Sequence, residues 1–349
     1  MDTRLTDVRL QDAVDYAVSH PTSWPTDIRA VIEGQTFDPP PWNIVKGRLR
    51  DRVGPAGLIR VENHTASWGD QFRADMVFSV TKSYVGLLAA IAMDEGRIPA
   101  WDAPVSQSVA QSAFEPPNDI VSWRQLLQQT SEWQGTLWGI PDAVDRNRQL
   151  SPTESSARFG ATTPYGAPGS YWDYNDIRVN ALCLALTYVF GQSLPDVLRS
   201  RFPESFSDAG WDWGGYPPET TIDVEGQSIP VVVGGGHWGG GIATSVEKDA
   251  ALGQLVMTGG LHQDRRIVSQ EALSMLLTPC DLMPVYGGLW WLNTDRRLFP
   301  AAPATSVFAL GVGMNAIWID APHNLVAVAH GFDKDAFGGF IESVMRAIA

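Results

Sequence analysis

The chain has 349 residues, of which 44% are hydrophobic and 18% charged, and a net charge of −14. That balance supports a packed core in one large domain or two lobes and excludes a disordered chain. The acidic surplus disfavours nucleic acid and anionic membranes as partners, because both need basic surface.

No run approaches the roughly 18 apolar residues of a membrane span. Residues 1–7 carry acids and no apolar h-region, so no secretory signal is expected and a cytoplasmic location is. Cys183 sits in an apolar run and reads as a buried thiol, far in sequence from Cys280. No metal-ligand spacing links the Cys and His residues, so neither a metal nor a cofactor is expected.

Taken in order, residues 10–19 read as an amphipathic helix, with Ala13, Val14, Ala17 and Val18 at helical spacing. A Pro-rich connection follows, including Pro39-Pro40-Pro41. Residues 57–61 and 65–68 read as short strands around a turn at Asn63-His64. Ser79-Val80-Thr81-Lys82 then heads an apolar helix that stops at Gly96. Ser122 is placed to cap a helix, and residues 177–190 form another. Two glycine triplets, 234–236 and 239–241, make a dense turn around His237-Trp238. Ser245 caps a helix through Val256, and Ser269 caps one over 270–277. The period then changes. Residues 285–292, 307–311, 316–319 and 325–329 read as consecutive antiparallel strands, and 335–348 close the chain as a helix. The expected fold class is α+β, a three-layer αβα sandwich with an antiparallel sheet. Residues 1–98 and 245–349 would form the sheet lobe, and 99–244 an inserted, mainly helical lobe. The active site would lie in the cleft between them.

Three stretches carry candidate chemistry. Residues three apart share a helix face, so the Ser79 hydroxyl can meet the Lys82 amine. A serine is a weak nucleophile until a base takes its proton, and a lysine in an apolar site can do so. The Ser79 N–H, at the helix start, can receive an oxyanion. The structural alternative is a capping serine with a solvated lysine. In Pro168-Gly169-Ser170-Tyr171-Trp172-Asp173-Tyr174-Asn175-Asp176, a turn presents tyrosines on a loop. A tyrosinate beside an ammonium serves as general base, whereas the alternative is aromatic packing. In Leu310-Gly311-Val312-Gly313-Met314-Asn315 the glycines let the backbone approach a ligand, or simply form a hairpin. The Trp211-Asp212-Trp213 and Trp290-Trp291 clusters are core or pocket lining.

The order Ser-x-x-Lys, Pro-Gly-x-x-x-x-Tyr-x-[Asn/Asp] and a glycine-rich strand resembles the serine β-lactamase and penicillin-binding protein superfamily. It is most similar to the class C-like branch of family VIII carboxylesterases, D-aminopeptidases and 6-aminohexanoate-dimer hydrolases. Leu126-Leu127-Gln128-Gln129-Thr130-Ser131 and the 239–250 stretch resemble further segments of that branch. The resemblance implies a β-lactamase/transpeptidase-like fold and an acyl-enzyme on Ser79. Lys82 would be the activating amine and Tyr174 the proton shuttle. The N–H groups of Ser79 and Val312 would form the oxyanion hole, flanked by Gly311 and Gly313.

Two departures shape the expectation. Asp176 stands where that branch usually has Asn, which favours a protonated Lys82 and, through it, a tyrosinate at Tyr174. Asp176 is also a candidate for binding a substrate ammonium or amide N–H. The cationic box that holds a substrate carboxylate is absent, which argues against more than weak β-lactamase activity. His237 and Trp238 are candidate pocket residues, and Glu132 is a weaker one. The expected function is a cofactor-independent serine hydrolase of a small ester or amide. An acyltransferase with the same residues, and a non-catalytic sensor of the same fold, are the alternatives. A homo-oligomer is left open.

Overall fold

The computed structural model describes residues 3–34, 38, 40–146, 164–218 and 220–349. Six antiparallel strands form the main sheet. Their order is Trp291–Leu292, Val307–Gly311, Asn315–Asp320, Leu325–His330, Ala56–Val61, His64–Trp68. The C-terminal strands thus run as a meander, and the N-terminal hairpin joins it through Ala56↔His330 pairing.

Register decides which side chains face which layer, because alternate residues point to opposite faces. Ile317 and Ile319 lie opposite Val328 and Val326, and Gly253 of the helix Val246–Met257 packs on Val326, Ile317 and Ile319. Arg60, opposite Val326, reaches Glu247 of the same helix at 2.6 Å. The other face carries Trp68, whose ring meets Phe340 of the closing helix Phe337–Ile348 at 5.8 Å. The first helix, Thr3–Ser19, packs beside that closing helix. The result is the expected three-layer α+β sandwich.

The helix Val80–Asp94 is the centre of the molecule, buried all round from Val80 to Ala92. Such a helix has no polar face and must be enclosed by neighbours. Ser122, Ser245 and Ser269 each cap a helix through the side-chain oxygen, Ser122 in a reciprocal capping box with Gln125.

Some expectations shift. The first hairpin turns at Glu62-Asn63, one residue earlier than expected, with Glu62 at φ 51° and the second strand starting at His64. Residues 285–292 are not one strand; they pair only as Trp291–Leu292 and a Tyr286↔Trp291 bridge. Leu289, at φ 65°, breaks the extended run, and the N–H groups of Gly288 and Leu289 go to the carbonyls of Leu276 and Leu127 instead of a neighbouring strand. Asp212–Trp213, Ile242–Thr244 and Asp75–Met76 form a small three-stranded sheet, too short to leave a period in the sequence. Pro39 lies outside the described residues. Among the described residues no single helix is long and apolar enough to cross a membrane.

Candidate active site

Asp75–Met76 leads into the Ser79 turn, where Phe78 takes φ 49°. A bulky residue there stores about 1–3 kcal/mol of strain, held by the surrounding structure. Ser79 is half-buried and makes no capping hydrogen bond. Lys82 is 1% exposed and donates to Ser79 Oγ at 3.0 Å. The capping-serine, solvated-lysine alternative does not describe this geometry. Val80, Thr81 and Lys82 donate their N–H groups to the carbonyls of Val77, Phe78 and Ser79.

Lys82 meets Asp176 at 2.8 Å, and its ammonium lies 5.1 Å from the Tyr174 ring centre. Burial pushes the Lys82 pKa down, but Asp176, Tyr174 and Asp145 outweigh it and hold the amine above its ordinary range. Tyr174 is raised too. Burial is the main cause and Asp176 adds to it, against the lowering by Lys82 and by hydrogen bonds to Ser79 and Lys82. The expected protonated Lys82 agrees with this direction. The expected tyrosinate does not, because burial and the Asp176 carboxylate outweigh the ammonium.

Tyr174 reaches this place because its loop is tied down. Asp173 N–H donates to the Gln129 carbonyl at 2.9 Å, and Asn175 N–H donates to Gln129 Oε1 at 3.2 Å. Asn175 then caps the helix Asp176–Phe190, which aims Asp176 inward. Trp291 stacks on Tyr174 at 5.7 Å and 22°, while Tyr286 and Trp172 meet it at 6.0 and 6.2 Å. Of the two tryptophan clusters, Trp291 borders the site, whereas Trp290, Trp211 and Trp213 are core. Tyr171 is 42% exposed, with Arg146 5.9 Å from its ring centre. Glu132 does not line a cleft; it is buried against Arg146 at 3.1 Å and accepts from Gly166 N–H.

The glycine-dense turn wraps the same two groups. Gly235 O accepts from Ser79 Oγ and Gly234 O from Lys82 Nζ, each at 3.3 Å. Gly235, at φ +84°, has room for no side chain: a Cβ would lie 2.1 Å from the Phe78 carbonyl. His237 and Trp238, expected as pocket residues, are each 2% exposed, and their side chains are engaged within the protein. His237 Nδ1 pairs with Asp145 at 2.7 Å, and its backbone N–H donates to Asp176 Oδ2 at 3.2 Å. Trp238 turns the other way. It packs with Ile28, Ile32, Met76 and Phe78 and donates its indole N–H to Asp38.

Opposite Ser79 lies the hairpin of strands Val307–Gly311 and Asn315–Asp320. A Cβ on Gly311 would lie 2.1 Å from Val77 O and 3.3 Å from Ser79 N, so this backbone passes directly against the nucleophile's own. Val312 follows it. Its carbonyl accepts from Asn315 Nδ2 at 2.9 Å, and the same amide donates to Met76 O at 3.2 Å. Gly313, at φ +78°, abuts Arg52, whose guanidinium donates to the Trp24 and Pro25 carbonyls. A guanidinium from outside the hairpin therefore stands against Gly313. A cavity of about 980 Å³, lined by Arg60, Phe72, Lys248 and His262 among others, shares no lining residue with this site.

Sequence reasoning missed Asp145, the Gln129 clamp and the Asn315 tie. Gln129 and Asn315 lie inside segments that the sequence singled out, but their roles rest on contacts far along the chain, with Asn175 and with Met76, as does the contact of Asp145 with His237.

The β-lactamase family model matches residues 65–330. The chain belongs to the β-lactamase family. It is 24% identical to the 6-aminohexanoate-dimer hydrolase of Paenarthrobacter ureafaciens over 277 residues, 72% of this chain and 64% of that relative's length. Among solved structures, EstCE1, described as a hydrolase with promiscuous acyltransferase activity, superposes with a TM-score of 0.60 at 15% identity. That likeness covers 98% of this chain and 99% of EstCE1. A class C β-lactamase mutant gives 0.58 at 15% identity, covering 98% of both chains. At these identities the structural likenesses establish the β-lactamase-like fold.

Proposed function

We propose that this family member is a serine hydrolase that cleaves a small ester or amide through an acyl-enzyme on Ser79. The observation that carries the reading is the 3.0 Å contact of Lys82 Nζ with Ser79 Oγ, with the Tyr174 ring centre 5.1 Å from the same ammonium. The hydrolase relative adds support.

In this reading Ser79 Oγ attacks the substrate carbonyl and its proton moves to a neighbouring base. Two bases are in reach: Tyr174 once it has lost its own proton, and Lys82 once its extra proton has passed to Asp176. The accepted proton then goes to the leaving alcohol or amine. The Ser79 and Val312 N–H groups hold the oxyanion. Water attacks the acyl-serine, releasing the acid and restoring the hydroxyl. The hairpin itself contributes no cation, and the Arg52 guanidinium beside Gly313 is tied to the Trp24 and Pro25 carbonyls, so the reading takes an ester or amide without an obligatory carboxylate. The aromatic wall of Trp172, Tyr174 and Trp291 favours an apolar acyl or leaving group.

Intact mass after brief exposure to a fluorophosphonate and to a p-nitrophenyl ester, with p-nitrophenol release followed in parallel, tests this. Wild type should form the adduct and turn over the ester, and Ser79→Ala should do neither. Adduct without turnover would favour the sensor. Product analysis with an added alcohol separates hydrolysis from the acyl transfer that EstCE1 is described as performing.

A further inference from the structure

Three pieces of backbone meet at Ser79: its own turn, the glycine turn through Gly235, and the hairpin tip at residues 311–313. A small apolar cluster, apart from the main core, takes side chains from all three. Met76 and Phe78 come from the first, Trp238 from the second and Val312 from the third. The stretches 24–34 and 40–52 supply most of the remainder. Ile28 and Ile32 come from the short helix Ile28–Glu33, and Leu49 lies farther on. Phe78 immediately precedes the nucleophile, and its φ of 49° needs neighbours that hold it there.

The same two stretches grip the flanking pieces by polar contacts. Lys46 and Gly47 donate their N–H groups to the Trp238 carbonyl at 2.9 and 3.0 Å, and Gly240 N–H donates to the Arg48 carbonyl at 3.1 Å. A Cβ on Gly47 would lie 2.6 Å from Gly239 Cα, so the two backbones touch. The glycine turn closes on itself, since a Cβ on Gly241 would lie 2.7 Å from Gly235 Cα. A shift at residues 238–240 therefore reaches the Gly235 carbonyl, which accepts from Ser79 Oγ. On the hairpin side, Arg52 Nη1 would lie 3.3 Å from a Cβ on Gly313. Its Nη2 donates to the Trp24 and Pro25 carbonyls at 2.9 and 3.2 Å, and its backbone N–H to the Thr26 carbonyl at 3.0 Å.

We infer that the stretches 24–34 and 40–52 are a positioning element of the active site, which sets Ser79 between the Gly235 carbonyl and the Val312 N–H. The inference rests on the catalytic set proposed above. Arg52 acts through the hairpin tip, and Ile32 through the cluster that holds Phe78, Trp238 and Val312; both are positioning residues. Ile32 lies outside the main core cluster, so truncating it should loosen this corner and leave the main sheet folded. A misplacement of about 1 Å among reacting groups costs about 10²-fold in rate.

The test measures fluorophosphonate labelling and turnover of a p-nitrophenyl ester and of the matching thionoester, well below melting. Arg52→Met and Ile32→Ala should lower labelling and kcat by about 10–10²-fold with KM little changed. The oxygen ester should lose more than the thionoester, because sulfur is a weak acceptor and draws little from the oxyanion donors. Arg52→Lys keeps a donor for the Trp24 and Pro25 carbonyls and should recover part of the loss. Ile32→Ala removes no charge, so the rising limb of its pH profile should stay in place. Lower melting with wild-type kcat and labelling would make these residues structural supports only and overturn the inference, as would equal losses on the two esters. Should Arg52→Met fail to fold, Arg52→Lys and Ile32→Ala carry the same comparison. Retained turnover in Ser79→Ala would instead remove the catalytic reading beneath it. A dead Ser79→Ala beside unchanged Arg52 and Ile32 variants would remove the positioning element alone.

Discussion

Lys82 Nζ and Asp176 Oδ1 stand 2.8 Å apart with both side chains out of water. The pair explains why a lysine tolerates the buried first turn of an apolar helix, and it opposes the use of that lysine as a resting base. Asp176 raises the Lys82 pKa and the Tyr174 pKa alike. Replacing it should lower both. The deprotonated forms accept the Ser79 proton, so Asp176→Asn should move the rising limb of kcat/KM to lower pH, whichever base acts. Asn keeps an acceptor for the His237 N–H but leaves Lys82 without its anion, and melting should fall by the equivalent of about 3–5 kcal/mol. A limb that stays in place or moves to higher pH would count against the assignment.

Tyr174→Phe separates chemistry from packing. Phenylalanine retains the stack on Trp291 and the edge contact with Tyr286, so thermal melting should change little. The hydroxyl is lost, and ester turnover should fall by about 10²–10⁴-fold. Wild-type turnover in this variant would mean that Tyr174 is no proton carrier.

His330 makes stability pH-dependent. It is buried between Asp249, at 2.8 Å, and Asp75, at 3.6 Å, and Asp249 also accepts from Tyr84 of the central helix. Burial alone would lower its pKa, but the hydrogen bonds to Asp249 and Asp75 raise it to about 9. A raised folded-state value means that the stabilisation is complete below the unfolded value of about 6.5 and is lost as pH rises through about 9. Wild-type melting temperature should drop across that window. His330→Gln should melt lower at neutral pH, by the equivalent of about 3 kcal/mol or more, with a flatter alkaline decline. Parallel curves for the two proteins would exclude His330 as the titrating group.

Gly311→Ala tests the close approach of hairpin and nucleophile. The added methyl meets the Val77 carbonyl at 2.1 Å and Ser79 N at 3.3 Å, so one backbone must move. Melting should fall by about 1–3 kcal/mol, as for other overpacked sites. Fluorophosphonate labelling should slow further than the melting loss accounts for, because the oxyanion side of the site moves with Gly311. Unchanged labelling would place the oxyanion donors elsewhere.

Much of this was legible in the sequence because it is local. Ser79 and Lys82 share a helix face by spacing alone, and three serines mark helix starts that form as read. The Val307–Gly311 strand matches its expected bounds. The structure decided what depends on long-range approach. It aimed Tyr174 inward and left Tyr171 exposed, through a clamp on Gln129 46 residues earlier than Asn175. It turned His237 onto Asp145 and Trp238 into an apolar cluster, though the two residues are adjacent. Burial also raises the Tyr174 pKa, where Asp176 acting through Lys82 pointed to a tyrosinate. The physical reason is common to all three. Side-chain periodicity reports which face of its own element a residue occupies, whereas burial and charge at a site are sums over neighbours that the chain brings together only on folding.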